Sequence, residues 1–547
     1  MAPGYDNKLE PVVSEGLGDF KHAEEHVEEV TIARLTEEDL FLLSQESLQF
    51  KSWTSFRIFL MMFVQGCGAA GYGIDWAVIS GINAFKPWHT YFGFGTSGVT
   101  YGTLNALMTI GTICGAPFMA FADIVGRRGI NFAGNFIVLV ASLLQAFAVN
   151  MPMFMAGRFF LGFGSALMSS PQYVAEVAPT HLRGRLVGLF GACFQVGSLC
   201  MNAGLIGLAR IESDWCWRIP LALEGLFPLI VCLFIYPLTP ESPRYLIMRG
   251  QMEKAKRVIA KMHTTEGNNV DHPLVTIVAN QIEESLQNER QSNHAWWDYR
   301  VLFHGRPAQY RVLVLILYSI FQQWNGGGII GQYLVPALDT VGITGTIEQL
   351  GMNFGLNATY LVFTVCGSFI VDRFRRRTLI FSGLISFILL QTAATITSWQ
   401  YTLTESKVNA GLVVTWLFLF QTCSSLLIAT MHNLYPVEVL SLDMRAKGMG
   451  LYALVQGAAG TVQNYGISVG IQKIGYKIWV VYVGYNLIQL VLSYFVFPET
   501  SELTLEEIDT VFETPGVRPV KMSLDIQKAK REKERLEAQG LSSGVQY

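Results

Sequence analysis

Along the 547-residue chain, apolar residues gather in runs of about 20, the length an α-helix needs to cross a bilayer core, and charged clusters separate one run from the next. Twelve runs begin near Phe56, Tyr101, Ile130, Met153, Leu186, Ile219, Val312, Met352, Leu379, Leu412, Met449 and Trp479. They do not alternate polar with apolar, which excludes a barrel, so each predicts a helix whose backbone hydrogen bonds are satisfied within itself. The expected fold class is all-α, a polytopic membrane protein of twelve transmembrane helices.

The breaks between runs carry the next layer of order. One alternate set of short loops holds "DIVGRR", "HLRGRL", "DRFRRRT" and "DMRAKG", whereas the other has few basic groups, which by the positive-inside rule puts the basic loops and both tails in the cytosol. Three landmarks also recur in order: "DIVGRR", "AEVAPTHLRGR", "PESPR", then "DRFRRR", "VEVLSLDMRAK", "PETSE". Asp123 to Asp372, Glu176 to Glu438 and Pro240 to Pro498 are offset by 249, 262 and 258 residues, the mark of an internal repeat. The expected organisation is an acidic N-terminal tail (1–55), a six-helix bundle (56–237), a cytosolic helical linker (238–310), a second six-helix bundle (311–497) and a C-terminal tail (498–547). Paired bundles around a midplane site are the architecture of alternating-access transporters.

Composition agrees: 51% of residues are hydrophobic and 15% charged, against about 25% charged in soluble domains. The first fifty residues hold three Lys/Arg and twelve Asp/Glu with no apolar core, so they read as a solvated tail and not a signal peptide. Seven of the eight cysteines fall inside apolar runs, implying no disulfide framework. A net charge of −3 argues against nucleic acid. No His/Cys metal spacing, nucleophile elbow or phosphate loop survives its context, and "GGGIIG" follows no strand; neither enzyme activity, metal nor cofactor is expected.

Two features suggest chemistry inside the membrane. Asp75, in "GYGIDWAVISG", costs about 2.5–3.5 kcal/mol at a helix centre and calls for a partner; Arg158, in "GRFFLGFG", lies at a matching depth on the fourth helix. On the seventh, "QQWNGGGIIGQY", Gln322, Asn325 and Gln332 are expected to share one face, with Gln323 one step round and Tyr333 able to cover a sugar ring; the glycines soften the helix. Glu224 adds a second intramembrane acid.

These motifs resemble the sugar porter family of the major facilitator superfamily, especially its fungal lactose, cellodextrin and hexose permease-like branch, whose loop after helix one is similar to "GINAFKPWHTYFG". The resemblance implies that Asp75 accepts the coupling proton with Arg158 as counter-charge, and that Gln195, Gln322 and Gln323 contact substrate; Asn433 and Gln456 join Asn325, Gln332 and Tyr333 as further candidates. Asp123, Arg127, Arg128, Glu176, Arg183, Glu241, Asp372, Arg373, Glu438, Arg445 and Glu499 become candidates for ion pairs between bundles that gate the cytosolic side, while Arg376 and Arg377 read as topology-setting charges. The family's usual pattern is altered at Gly328, Gln332, Glu224 and the His432–Asn433 pair. The implied function is a plasma-membrane sugar/proton symporter, acting as a monomer in the lipid bilayer on protons and a mono- or disaccharide. A proton-independent facilitator, a carrier of a polyol or natural product, and a sugar sensor of the same fold are the alternatives.

Overall fold

The computed structural model describes residues 37–538 apart from 50–51, 169, 266, 268, 292–298, 372, 502, 504 and 515–516. The described residues form helices and no strand. In the first half, helix one spans Trp53–Ile82, helix two Val99–Val125, helix three Arg127–Ala146, helix four Met151–Val177, helix five Arg183–Leu208 and helix six Trp215–Leu238. In the second half, helix eight spans Thr346–Ile370, helix nine Arg376–Thr404, helix ten Lys407–Val439, helix eleven Leu442–Ile474 and helix twelve Ile478–Val496.

Helix seven is in three pieces, Arg306–Gln323, Gly327–Gln332 and Leu334–Asp339. None of these alone has the length and apolar character of a membrane span, unlike the other helices. The helices start earlier than the apolar runs that predict them; helix eleven begins at Leu442, seven residues before Met449. Their polar first turns extend past the apolar core, as at helix one, where the Ser52 side chain accepts from the Ser55 amide.

Helix six is interrupted after Glu224, four residues beyond the internal Pro220, and helix ten carries one π-helical turn over Ser424–Ala429. Between the halves run short helices Pro243–Met248, Met252–His263 and Pro273–Gln291, and Met262 packs with Tyr173, Val174 and Val177 at the end of helix four.

The halves meet through helices one, two and five of the first and seven, eight and eleven of the second. Hydrogen bonds between them concentrate at the end away from the basic loops. Thr96 Oγ1 donates to Asp339 (3.2 Å), Thr346 Oγ1 to the Ala84 carbonyl (3.1 Å), and Ser468 Oγ to the Gly98 carbonyl (2.7 Å). That end is shut.

Candidate functional site

Small residues bring the buried pair together. Helices two and four approach so closely that a Cβ at Gly162 would run into the Met108 carbonyl. This contact sets Arg158 beside helix two, where its Nη2 reaches Met108 Sδ at 3.1 Å. Its Nη1 donates to Asp75 Oδ1 at 2.6 Å, with both side chains almost wholly buried. Asp75 lies seven residues before the end of helix one and Arg158 seven after the start of helix four, so the equal depth expected from the sequence is present. Asp75 Oδ2 and both carboxyl oxygens of Glu224 are buried and meet no N–H or hydroxyl donor, and the Glu224 carboxyl faces that of Asp75. Asp75 and Arg158 are the charges acting on Glu224. Two buried carboxyls therefore lie in the field of one buried guanidinium. Glu224 is the member that a search for one acid and one base passes over, although "IPLALEGL" shows it plainly.

The amides of helix seven divide differently from the expectation. Gln332 does not share a face with Gln322 and Asn325, because the helix breaks between them. Gly326 adopts φ +98°, a left-handed conformation that a side chain disfavours, and a Cβ there would collide with Gln391. Asn325 closes the break: its Oδ1 accepts from the Gly327 amide (2.7 Å), its Nδ2 donates to the Gln322 carbonyl (3.1 Å), and its own carbonyl accepts from Gln391 and Asn486. The Asn325 side chain is thus committed to the backbone.

Tyr333 is likewise a strut rather than a sugar cover. It is buried, donates to the Asn464 carbonyl at 2.6 Å and accepts from Asn105 of the other half at 3.1 Å. Gln332 is buried too, and its carbonyl accepts from Tyr101. A small cavity of about 20 Å³, bounded by Tyr318, Gln322, Asn325, Phe387 and Gln489, lies inside the second half and not between the halves.

The side chains left able to meet a ligand are Gln195, Gln322, Gln323 and Gln456, all half-buried. Gln322 Nε2 donates to Tyr318 (2.8 Å), and its Oε1 lies 3.5 Å from His432 Nδ1; His432 Nε2 is 3.1 Å from Gln456 Nε2. His432 therefore joins helices seven, ten and eleven in one polar cluster. Gln323 reaches toward Gly460 of helix eleven. The side chain of Asn433 lies outside the described residues. On helix eight, Asn353 Nδ2 donates across the halves to Asn202 (3.0 Å) and Asn357 Nδ2 donates to the Asn353 side chain (3.0 Å), a polar seam that the amide stripe of helix seven overshadows in the sequence.

The charged motifs form two copies of one lock, each inside a half, and not a bridge between halves. In the first, Glu241 accepts from the backbone amides of Arg127 (3.0 Å) and Arg128 (3.3 Å), anchoring the start of helix three. Arg127 pairs with Asp123 (2.9 Å) and Glu176 (3.3 Å), Arg128 with Glu241 (3.4 Å), and Ser242 donates to Glu176. In the second, Glu499 accepts from the amides of Arg376 (2.9 Å) and Arg377 (3.1 Å), Arg376 pairs with Glu438 (3.1 Å), and Thr500 donates to Glu438. Tyr173 and Tyr435 repeat as well, donating to the Pro240 and Pro498 carbonyls.

Arg376 and Arg377, not the exposed Arg373, are thus the partners; the 249-residue offset already maps Arg127 and Arg128 onto them. None of the pairs Arg127–Asp123, Arg127–Glu176, Arg128–Glu241, Arg158–Asp75, Arg311–Asp509, Arg376–Glu438 and Lys530–Glu507 joins the first half to the second. Asp372 lies outside the described residues, Arg183 is exposed, and Arg445 has a buried Nε without a partner.

Twelve helices in two pseudo-symmetric halves, with a buried charge pair beside an amide-lined interface, define a secondary transporter fold. The family described as "Sugar (and other) transporter" matches residues 61–512, and the chain belongs to that family, a branch of the major facilitator superfamily. Its relatives include the MFS-type transporter oryC of Aspergillus oryzae, 29% identical over 81% of this chain and 82% of that protein. Myo-inositol transporter 2 of Schizosaccharomyces pombe is 24% identical over 87% and 85%. Among solved structures, the inward open conformation of the xylose transporter XylE from E. coli matches with TM-score 0.69 at 21% identity, covering 83% of this chain and 100% of that one.

Proposed function

We propose that this multi-pass membrane protein is a proton-coupled carrier that moves a polyhydroxylated solute, a mono- or disaccharide, across the plasma membrane by alternating access. The basic loops and tails then face the cytosol, and the structure corresponds to the state with its outer gate shut. The observation that carries the reading is the buried Asp75–Arg158 pair with Glu224 against it. Fully ionised, the three groups sum to −1 in a buried site, so one proton shared by the carboxyls restores neutrality. A change in helix spacing that loosens the 2.6 Å pair alters how tightly that proton is held. Gln322, Gln195 and Gln456 supply the paired donors and acceptors that sugar hydroxyls require.

The His432 cluster favours a second reading, a carrier of a polyol or other hydroxylated metabolite, because it places an imidazole beside the amides. Uptake of labelled monosaccharides, disaccharides and polyols in transporter-deficient yeast, with external pH recorded, separates the two. Alkalinisation on substrate addition is expected. Asp75→Asn should abolish accumulation against a gradient while sparing exchange. A substrate that enters without proton movement, unaffected by Asp75→Asn, would establish a facilitator instead.

A further inference from the structure

Hydrogen bonds between the halves continue inward from the shut end along helices five and eight. On helix five, Gln195, Ser198 and Asn202 are spaced i, i+3 and i+7 and share one face. The helix runs from the basic loops toward the shut end, so Ser198 and Asn202 lie roughly 5 and 10 Å beyond Gln195. Helix eight runs the opposite way and sets Asn353 and Asn357 against them. Asn353 Nδ2 donates to Asn202 Oδ1 (3.0 Å) and reaches Ser80 Oγ of helix one at 3.4 Å, while Ser198 Oγ donates to Asn357 Oδ1 at 3.5 Å. Ser198, Asn202 and Asn353 are buried.

With the halves together the seam satisfies itself. When they part, Asn353 loses Asn202 and Ser80, and Asn357 loses Ser198. A line of freed donors and acceptors then borders the gap that leads down to Gln195. Closure alone does not require amides: Leu205 and Leu350 are buried beside them, and a Cβ at Gly81 would run into Leu205 and touch Leu350. An apolar seam of that kind would seal by itself. Amides offer something more, because hydroxyl groups both donate and accept as they do, and the two leucines supply an apolar flank for a carbon skeleton.

We propose that Ser198, Asn202, Asn353 and Asn357 form an entry site for the hydroxyl groups of the solute, open only while the outer gate is open, from which the solute passes to Gln195. The inference rests on the carrier reading and adds a station to its path. On closure each half exchanges solute hydroxyls for the amides of the other, one hydrogen bond replacing another, so the handover has little net cost. The site therefore discriminates among solutes on the outer face and not on the inner, where the seam is already shut.

Labelled D-glucose, lactose and myo-inositol are the probes, and monodeoxy analogues of the one carried compete unlabelled, from outside on whole cells and from inside on inverted vesicles. The ratio of inhibition constants between an analogue and the full solute cancels any shift in gate position, which acts on both alike. For one hydroxyl or more, the parent chain should disfavour the deoxy analogue about tenfold from outside, the worth of one hydrogen bond. Asn353→Ala should bring that ratio near one and leave the inner ratios unchanged. Asn202→Ala, on the other half, serves the same test if Asn353→Ala does not reach the surface. Outer ratios identical in variant and parent reduce the seam to closure and overturn the proposal. An equal loss of discrimination from both faces also overturns it, by placing the effect at the central site. A parent chain that carries none of the three solutes would remove the carrier reading and this site with it, a result distinct from unchanged ratios.

Discussion

Two amides three residues apart on helix seven face opposite demands. Asn325 holds the helix break through the Gly327 amide and the Gln322 carbonyl, whereas the Gln322 side chain meets only Tyr318 and His432. Replacing Gln322 with Ala should leave the fold intact and raise KM about tenfold, the worth of one lost hydrogen bond. Asn325→Ala should instead lower thermal stability by about 1 kcal/mol, because the half-buried Gly327 amide loses its acceptor. Uptake kinetics beside melting of the purified protein separate the two. The sequence displays both amides equally, since residue type reveals donors and acceptors but not which of them the backbone has already engaged. Asp75 and Arg158 were legible because a charge in lipid is costly wherever it points. Glu224 was legible as an acid, but its place against Asp75 depends on the interruption of helix six. Arg376 was misjudged for want of applying the repeat offset residue by residue.

At the scale of elements, apolar run length located the helices well because span length is set by the bilayer and not by tertiary packing. The break in helix seven was foreshadowed by three glycines, yet only the left-handed turn at Gly326 shows that Gln332 leaves the stripe. The helices between the halves carry their own pH dependence. His263, at the end of Met252–His263, is buried; its Nε2 lies 3.2 Å from the Val177 carbonyl and its Nδ1 has no partner. Burial lowers its pKa to about 4, with Arg183 and His181 adding to the effect against the Val177 contact. A base harder to protonate folded than unfolded destabilises the fold as pH drops from about 6.5 toward 4, here by on the order of 3 kcal/mol. Melting temperature measured from pH 7 to 4.5 should fall less steeply in His263→Gln than in the parent chain.

For the whole molecule, the repeated motifs acquire a physical meaning as the internal fastening of each half. Glu499 is buried and accepts four backbone amides, from Arg376, Arg377, Thr500 and Ser501. Glu499→Gln turns a donor toward donors and should cost about 2–3 kcal/mol of stability, with Glu241→Gln behaving alike. Asp509 is 41% exposed but its partner Arg311 only 2%, so Asp509→Asn takes the counter-charge from a buried guanidinium and should cost about 3 kcal/mol or more. Thermal melting in one detergent ranks the three. A device confined to one half moves with it as a rigid body, so the seam at which Asn353 meets Asn202 should stay in place in all three variants.

On the proposed coupling, the buried triad has an electrical consequence. Two carboxyls and one guanidinium are neutral with one proton and carry +1 with two. A cycle that alternates between those states returns empty without moving charge, so the membrane potential acts only on the loaded crossing. Each 100 mV would then contribute about 2.3 kcal/mol to accumulation while leaving the empty return as fast in depolarised cells as in polarised ones.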